Sequence, residues 1–159
     1  MKFIALTHGQ VATVDDEDVE SLLAFRWTAM RSDRANGHAR WYAVTNTSGR
    51  LVYLHRLLLG EPKGITVDHI NADTLDNRRQ NLRLASRLEQ SRNCTSKGGR
   101  SRFKGVSLHE SGMWRAEIRR KGQKRIVKYA HGEDTAALIY NALATEHFGA
   151  FAKLNVVVP

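Results

Sequence analysis

The chain has 159 residues, 42% hydrophobic and 26% charged, with a formal net charge of +9 and an isoelectric point near 10.1. That composition excludes a chain disordered throughout and suits one ordinary domain or two small ones. The single cysteine, Cys94, excludes an internal disulfide and a thiolate zinc cluster, and no apolar run approaches the roughly 18 residues of a membrane helix.

Cys94 reads as a small, partly buried hydrophobe. The N-terminus turns polar at Thr7-His8-Gly9, too early for the apolar stretch of a signal peptide, so a soluble cytoplasmic protein with no membrane partner is expected. Ile4-Ala5-Leu6 and Val11-Ala12-Thr13-Val14 predict two short strands around a His8-Gly9-Gln10 turn. Asp15-Asp16-Glu17-Asp18 precedes Val19, Leu22, Leu23 and Phe25, which suits the N-terminus of a helix, where the backbone dipole favours negative charge. Trp41 to Val44 reads as a strand, with a turn at Ser48-Gly49. Leu51 to Leu54 reads as a strand, His55 to Leu59 as a short helix, and 60–64 as a loop. Ile65 to Ile70 and Leu82 to Ala85 predict two strands separated by the polar loop 71–81. Ser86 and Glu89 then match the Ser-x-x-Glu capping box that opens a helix.

The polar, glycine-bearing stretch from Cys94 to Ser101 reads as a linker. Beyond it, Phe103 to Leu108, Trp114 to Arg119 and Arg125 to Tyr129 predict three strands, with turns at 110–112 and 121–123. In the middle strand Trp114, Ala116 and Ile118 alternate with Arg115, Glu117 and Arg119, giving one apolar and one charged face. A helix follows from about Asp134 to Phe148, with Ala137, Tyr140, Ala144 and Phe148 on one face and Gly149 at its end. Its apolar face and that of the sheet are expected to cover each other. The fold class is α+β.

The positive charge is confined. Residues 95–128 hold eleven Lys or Arg against two Glu, an excess equal to that of the whole chain, while the remainder is balanced at fourteen of each sign. A basic surface in one segment suggests a polyanion partner.

Asp68-His69 carries the chemical argument. Hydrolysis of a phosphodiester needs a base for water and positive charge at the phosphate. A neutral histidine near its pKa supplies the first, and a divalent ion held by oxygen ligands the second. Neighbours on a strand point to opposite sides, so the two residues are free to take separate roles. A lone Asp-His pair is more often a satisfied surface pair. The surroundings shift that balance: Val67-Asp68-His69-Ile70-Asn71, Leu75-Asp76-Asn77-Arg78-Arg79 and Asn81-Leu82-Arg83 closely resemble the HNH endonuclease family, in particular its phage and mobile-intron branch. The flanks Tyr53-Leu54-His55-Arg56-Leu57, Val14 to Asp18 and Phe25-Arg26-Trp27 are similar to that branch as well.

The resemblance covers about 1–94 and implies a site of two strands and a helix around one metal ion, the ββα-metal arrangement. It implies His69 as general base, Asp68 as a metal ligand and Asn81 as the residue that orients the loop carrying His69. The family's second ligand, usually Asn or His early in the helix, falls on Gln90, a departure; Asn93, one turn later, is the alternative. The other reading of Gln90 is a solvent-facing helix residue. The ion implied is magnesium, with manganese as the alternative. His8, His38, His131 and His147 read as ordinary surface or boundary residues.

Arg102 to Val106, Trp114 to Arg119, Ala136-Ala137, Tyr140-Asn141 and Gly149 to Asn155 resemble the DNA-binding domain of plant ethylene-response factors, the Apetala type. That family lays a three-stranded sheet, backed by one helix, in the major groove. Lys104, Arg119 and Arg125 fall at its DNA-contacting positions and Arg115 and Glu117 lie on the same charged face; Ser107 and His109 stand where it often has Arg, and Ala130 stands where an aromatic is usual, with Tyr129 beside it.

The organisation expected is a nuclease domain at 1–94, a linker at 95–101 and a DNA-binding domain at 102–159. The activity expected is a metal-dependent, homing-type DNA endonuclease that nicks or cuts both strands, as monomer or homodimer, in a bacterial or phage-infected cell. A DNA-binding regulator with a decayed nuclease site is the alternative, favoured by Gln90. An RNA-binding protein is third: it has the charge, but the sheet lacks an aromatic stacking strand.

Overall fold

A computed structural model describes residues 1–33, 39–93 and 99–158; Cys94, His38 and the first part of the expected linker lie outside the described residues. The chain divides into two units, Met1–Gln90 and Ser91–Pro159. The class is α+β as expected, built from small antiparallel sheets.

In the N-terminal unit, β1 (Lys2–Ala5) and β2 (Val11–Val14) pair antiparallel. The acidic run stands at a helix N-terminus, with Asp18 immediately before α1. Asp16–Asp18 forms a 3-10 turn, and α1 is only Val19–Leu23. It stops because the Trp27 indole donates to the Leu22 carbonyl at 2.9 Å and the Phe25 N–H to the same oxygen at 3.1 Å. β3 (Thr28–Ser32), which carries no clear alternation of apolar residues and was not expected, pairs with β4 (Arg40–Thr47). β4 turns at Ser48-Gly49, both with positive φ, into β5 (Arg50–Tyr53), the geometry of a two-residue hairpin loop. α2 (Leu54–Leu58) follows at once. β6 (Thr66–His69) and β7 (Leu82–Ala85) form the last hairpin, and α3 (Arg87–Arg92) follows β7. The capping box forms: Glu89 accepts from the Ser86 N–H at 2.8 Å, and the Ser86 hydroxyl accepts from the Glu89 N–H at 3.3 Å. Ile4, Ala12, Val14, Leu22, Trp27, Ala43, Leu54, Leu58, Val67 and Leu82 make one core, so the hairpin bearing Asp68-His69 is packed on the hydrophobic centre of its unit.

In the C-terminal unit, β8 (Val106–Leu108), β9 (Trp114–Ile118) and β10 (Ile126–Ala130) form an antiparallel sheet with β9 in the middle. α4 (Glu133–Phe148) packs on it, burying Ala136, Ala137, Tyr140 and Ala144 against Phe103, Val106, Ala116 and Ile118. The helix begins one residue before the expected Asp134. Small alanines let helix and sheet approach closely. Gly105 shows how closely: its φ is +70°, and a Cβ there would sit 2.2 Å from the Tyr140 ring. Ser101, expected in the linker, is instead buried, and its hydroxyl donates to Glu133 at 2.7 Å. Asn155 clamps the other end, accepting from the Lys104 N–H at 2.7 Å and donating to the Lys104 carbonyl at 3.0 Å. Among the described residues no helix is long and apolar enough to cross a membrane.

Candidate active site

The register of β6 and β7 opposes Asp68 to Arg83 and His69 to Leu82. Asp68 and His69 therefore face opposite sides of the hairpin, and both are buried. On one side Arg83 donates to Asp68 Oδ2 from Nε at 3.0 Å and from Nη2 at 2.8 Å. On the other, the His69 ring meets the ring of His55, from the first turn of α2, at 5.0 Å and 74°.

His69 Nε2 lies 3.2 Å from Asn77 Oδ1. The amide of Asn77 cannot be turned round, because its Nδ2 donates to the Leu75 carbonyl at 3.0 Å. Nε2 therefore carries the hydrogen, and Nδ1 is the basic nitrogen of the neutral ring. Burial lowers the pKa of His69 from its ordinary value; the bond to Asn77 and the charges of Asp68, Asp73 and Asp76 pull the other way. The result is an imidazole that is neutral, and so able to accept a proton, at neutral pH.

The loop between the strands is tied at many points. Asn81 accepts from the Asn71 N–H at 3.0 Å and donates to the Asp76 carbonyl at 2.7 Å and to Asn71 Oδ1 at 3.0 Å. Asp76 takes a two-point bond from Arg78 at 2.7 and 2.6 Å, which holds its carboxyl below the usual range. The loop is also bonded to distant chain. Thr74 donates to the Trp41 carbonyl at 2.6 Å, and Asn77 N–H to the Thr13 carbonyl at 2.8 Å. Arg79 pairs with buried Asp18, the residue just before α1.

Of the residues singled out from the sequence, Asp68 and His69 are adjacent on β6 and Asn81 closes their loop. Gln90 lies on α3 with its side chain exposed. Asn93 is buried and falls in the C-terminal unit, whereas Asp68, His69 and Gln90 fall in the N-terminal one. In the C-terminal unit Ser107, Arg115, Glu117, Arg119 and Arg125 share the sheet face turned away from α4. Arg115 donates to the Ser107 hydroxyl at 3.2 Å, Arg119 to Glu117 at 2.5 Å, and Arg115 and Arg125 lie 3.8 and 3.7 Å from the same carboxylate. His109 follows β8 and packs its ring on Tyr129 at 5.2 Å. Lys104 precedes β8, and its ammonium donates to the Arg92 carbonyl rather than standing on the strands.

Sequence reasoning did not find Arg83 as the partner of Asp68 or His55 as the neighbour of His69. The first needs the hairpin register, and the second needs the packing of a helix fourteen residues upstream. His55 is 8% exposed, and its pKa is pushed down to about 3, chiefly by burial, then by His69 and Arg56. In the unfolded chain it titrates near 6.5, so below that pH the unfolded state takes up the proton first. The associated stability is complete above about 6.5 and is lost as pH falls towards 3, by about 1.4 kcal/mol per pH unit inside that window. His69, lowered by the same cause, acts in the same direction. The thermal midpoint of the N-terminal unit is therefore expected to drop between pH 7 and pH 5, and to drop less in His55→Phe. Thermal unfolding followed by circular dichroism at pH 7, 6 and 5 checks this.

The HNH endonuclease family matches residues 52–92, the span from β5 to the end of α3. The chain is 38% identical over 122 residues to a protein of Acanthamoeba polyphaga mimivirus described as an uncharacterized HNH endonuclease, covering 73% of this chain and 63% of that one, less than two thirds of its length. It is 35% identical over 96 residues to protein 3.8 of Escherichia phage T7, covering 59% of this chain and 78% of that one. No solved structure matches. The region matched by the family contains Asp68, His69, Asn77, Asn81 and Gln90, the residues whose geometry is set out above; the chain carries an HNH endonuclease domain at residues 52–92.

Proposed function

We propose that the chain is a metal-dependent DNA endonuclease in which the N-terminal unit cuts and the C-terminal unit binds the duplex. The observation that carries this reading is the clamp of His69 Nε2 on Asn77 Oδ1, on a strand beside a buried carboxylate. His69 Nδ1 accepts the proton of the attacking water. Asn77 holds the ring in the required tautomer, and Asn81 holds the loop that carries Asn77. Arg83 fixes the orientation of the Asp68 carboxylate.

The order β6, β7, α3 supports a ββα-metal site. Asp68 and Gln90 would hold the ion, through a carboxylate and an amide oxygen. These are hard donors, and among the described residues no group of three His, Cys, Asp or Glu stands close enough to hold a metal. That chemistry fits magnesium or manganese, which are held by one or two carboxylates and keep several waters, rather than zinc. When bound, such an ion supplies positive charge at the scissile phosphate and the leaving oxygen.

The sheet face bearing Arg115, Arg119 and Arg125 faces away from its own helix, and this supports the Apetala-type reading of 102–159 as the DNA-binding domain. One nuclease site per chain cuts one strand per event, so a double-strand break requires two chains or two encounters. The phage relative supports action in the cytoplasm of a phage-infected cell. Incubation with supercoiled plasmid, with and without magnesium, tests the reading. Nicked product that depends on the ion supports it; intact plasmid under both conditions removes it and leaves a DNA-binding regulator, the reading that the longer Gln90 side chain favours.

Gln90→Asn is expected to lower the magnesium or manganese concentration needed for half-maximal cleavage, with DNA affinity unchanged, because Asn brings the amide oxygen nearer the helix backbone. If Asn93 is the ligand, Asn93→Ala is inactive and Gln90→Asn silent. A metal titration of both variants beside the parent decides between them.

A further inference from the structure

His55 has no part in the hydrolysis as described, yet it occupies a costly position. A polar imidazole 8% exposed on the first turn of α2 costs free energy that Leu or Phe there would not. Its surroundings are specific. Tyr53 lies 5.4 Å away and Tyr42 5.9 Å, and these two rings meet edge-on at 5.8 Å and 87°. On its other side is His69, at 5.0 Å and 74°. Four rings from β4, β5, α2 and β6 thus form a continuous chain that ends on the proposed base.

Two of the contacts on the His69 imidazole complement each other. The bond to Asn77 acts through Nε2 and fixes where that atom lies, but this bond by itself does not set the tilt of the ring. The perpendicular contact from His55 blocks that tilt, as edge-to-face pairs do at centroid separations of roughly 4.5–7 Å. His55 suits the place electrically as well. Burial keeps it uncharged across the physiological range, so it supports the ring without adding a positive charge beside a group that must take up a proton.

We infer that His55 is a positioning residue for His69, its ring packed edge-on so that the imidazole keeps the one orientation in which Nε2 meets Asn77 and Nδ1 faces the substrate. This rests on the reading of His69 as the general base. The test compares full-length parent, His55→Ala and His55→Phe by single-turnover plasmid cleavage, DNA affinity, thermal midpoint, and the ¹H–¹⁵N signals of the His69 ring. A misplacement of about 1 Å costs on the order of 10²-fold in rate. His55→Ala is accordingly expected to cut about 10–100-fold more slowly at saturating DNA, with affinity unchanged, and to exchange the single Nε2–H tautomer signal for an averaged one. His55→Phe, which keeps a planar ring, is expected to recover most of the rate and the single tautomer.

Folded His55→Ala cutting at the parent rate would overturn the proposal. So would His55→Phe as slow as His55→Ala, since that makes the imidazole itself the requirement rather than its packing. Should His55→Ala not fold, His55→Leu, of similar volume without a ring, takes its place. If none of the proteins cuts, including the parent, the nuclease reading fails, and the His69 ring signals still decide on His55: one tautomer in the parent and in the Ala variant alike refutes the positioning role.

Discussion

His69→Ala is expected to bind DNA as the parent does and to cut it about 10²–10⁴-fold more slowly, the loss that follows removal of a general base. The ring is held by Asn77 and lies against His55, so its removal opens a cavity lined by groups that keep their other bonds: Asn77 still donates to the Leu75 carbonyl, and its N–H still meets Thr13. The loop is therefore expected to survive. The residues proposed to bind DNA lie in the other unit and are untouched. Single-turnover nicking of plasmid, read beside a mobility-shift titration on the same preparation, checks both halves. A variant that cuts at the parent rate means that some other group takes the proton, and a variant that no longer binds means that the two units do not divide the work.

The second large effect is on salt. The fragment 91–159 is expected to bind duplex DNA without cutting it, and to lose about 10³–10⁵ in affinity between 50 and 200 mM salt if it neutralises six to ten phosphates. The fragment has its own core, from Phe103 to Ala144, and its own latch through Asn155. Residues 95–128 hold a positive excess equal to that of the entire chain. Counterion release from the phosphates makes the slope steep. Fluorescence anisotropy across a salt series measures it. A flat response would mean that this charge merely solvates the sheet. Within the series Arg119→Ala is expected to act more strongly than Lys104→Ala, because Arg119, just beyond β9, is 75% exposed and, among the described residues, tied only to Glu117 on the same charged face, whereas the Lys104 ammonium donates to the Arg92 carbonyl.

Features legible in the sequence are those whose cause is local. The Ser86–Glu89 box announces α3 because both partners lie within one turn. The alternation of Trp114, Ala116 and Ile118 announces β9 because one side of that strand meets α4 and the other does not. The glycine turns after His109 and Arg120 were legible for the same reason. β3 was not, since Thr28–Ser32 is recognisable as a strand only beside β4. In the candidate site, Asp68, His69, Asn77 and Asn81 were visible through a motif. Their supports were not. Arg83 reaches Asp68 through strand register, His55 reaches His69 through helix packing, and Asp18, which stands at the start of α1, takes Arg79 from 61 positions downstream.

The loop 70–81 has a consequence for how the enzyme comes into being. It is bonded to chain far upstream: Thr13 bridges Asp76, Asp15 accepts from the Arg79 N–H across 64 positions, and Asp18 takes the Arg79 side chain across 61. Contacts of such long range form late, after the intervening chain has been drawn together. β6 and β7 are able to pair locally before that, but His69 then has no fixed Asn77 to set its ring. On the proposed reading, an ordered base is thus the last feature the N-terminal unit acquires and the first it forfeits when β1 and β2 fray, so a half-folded chain is expected not to cleave.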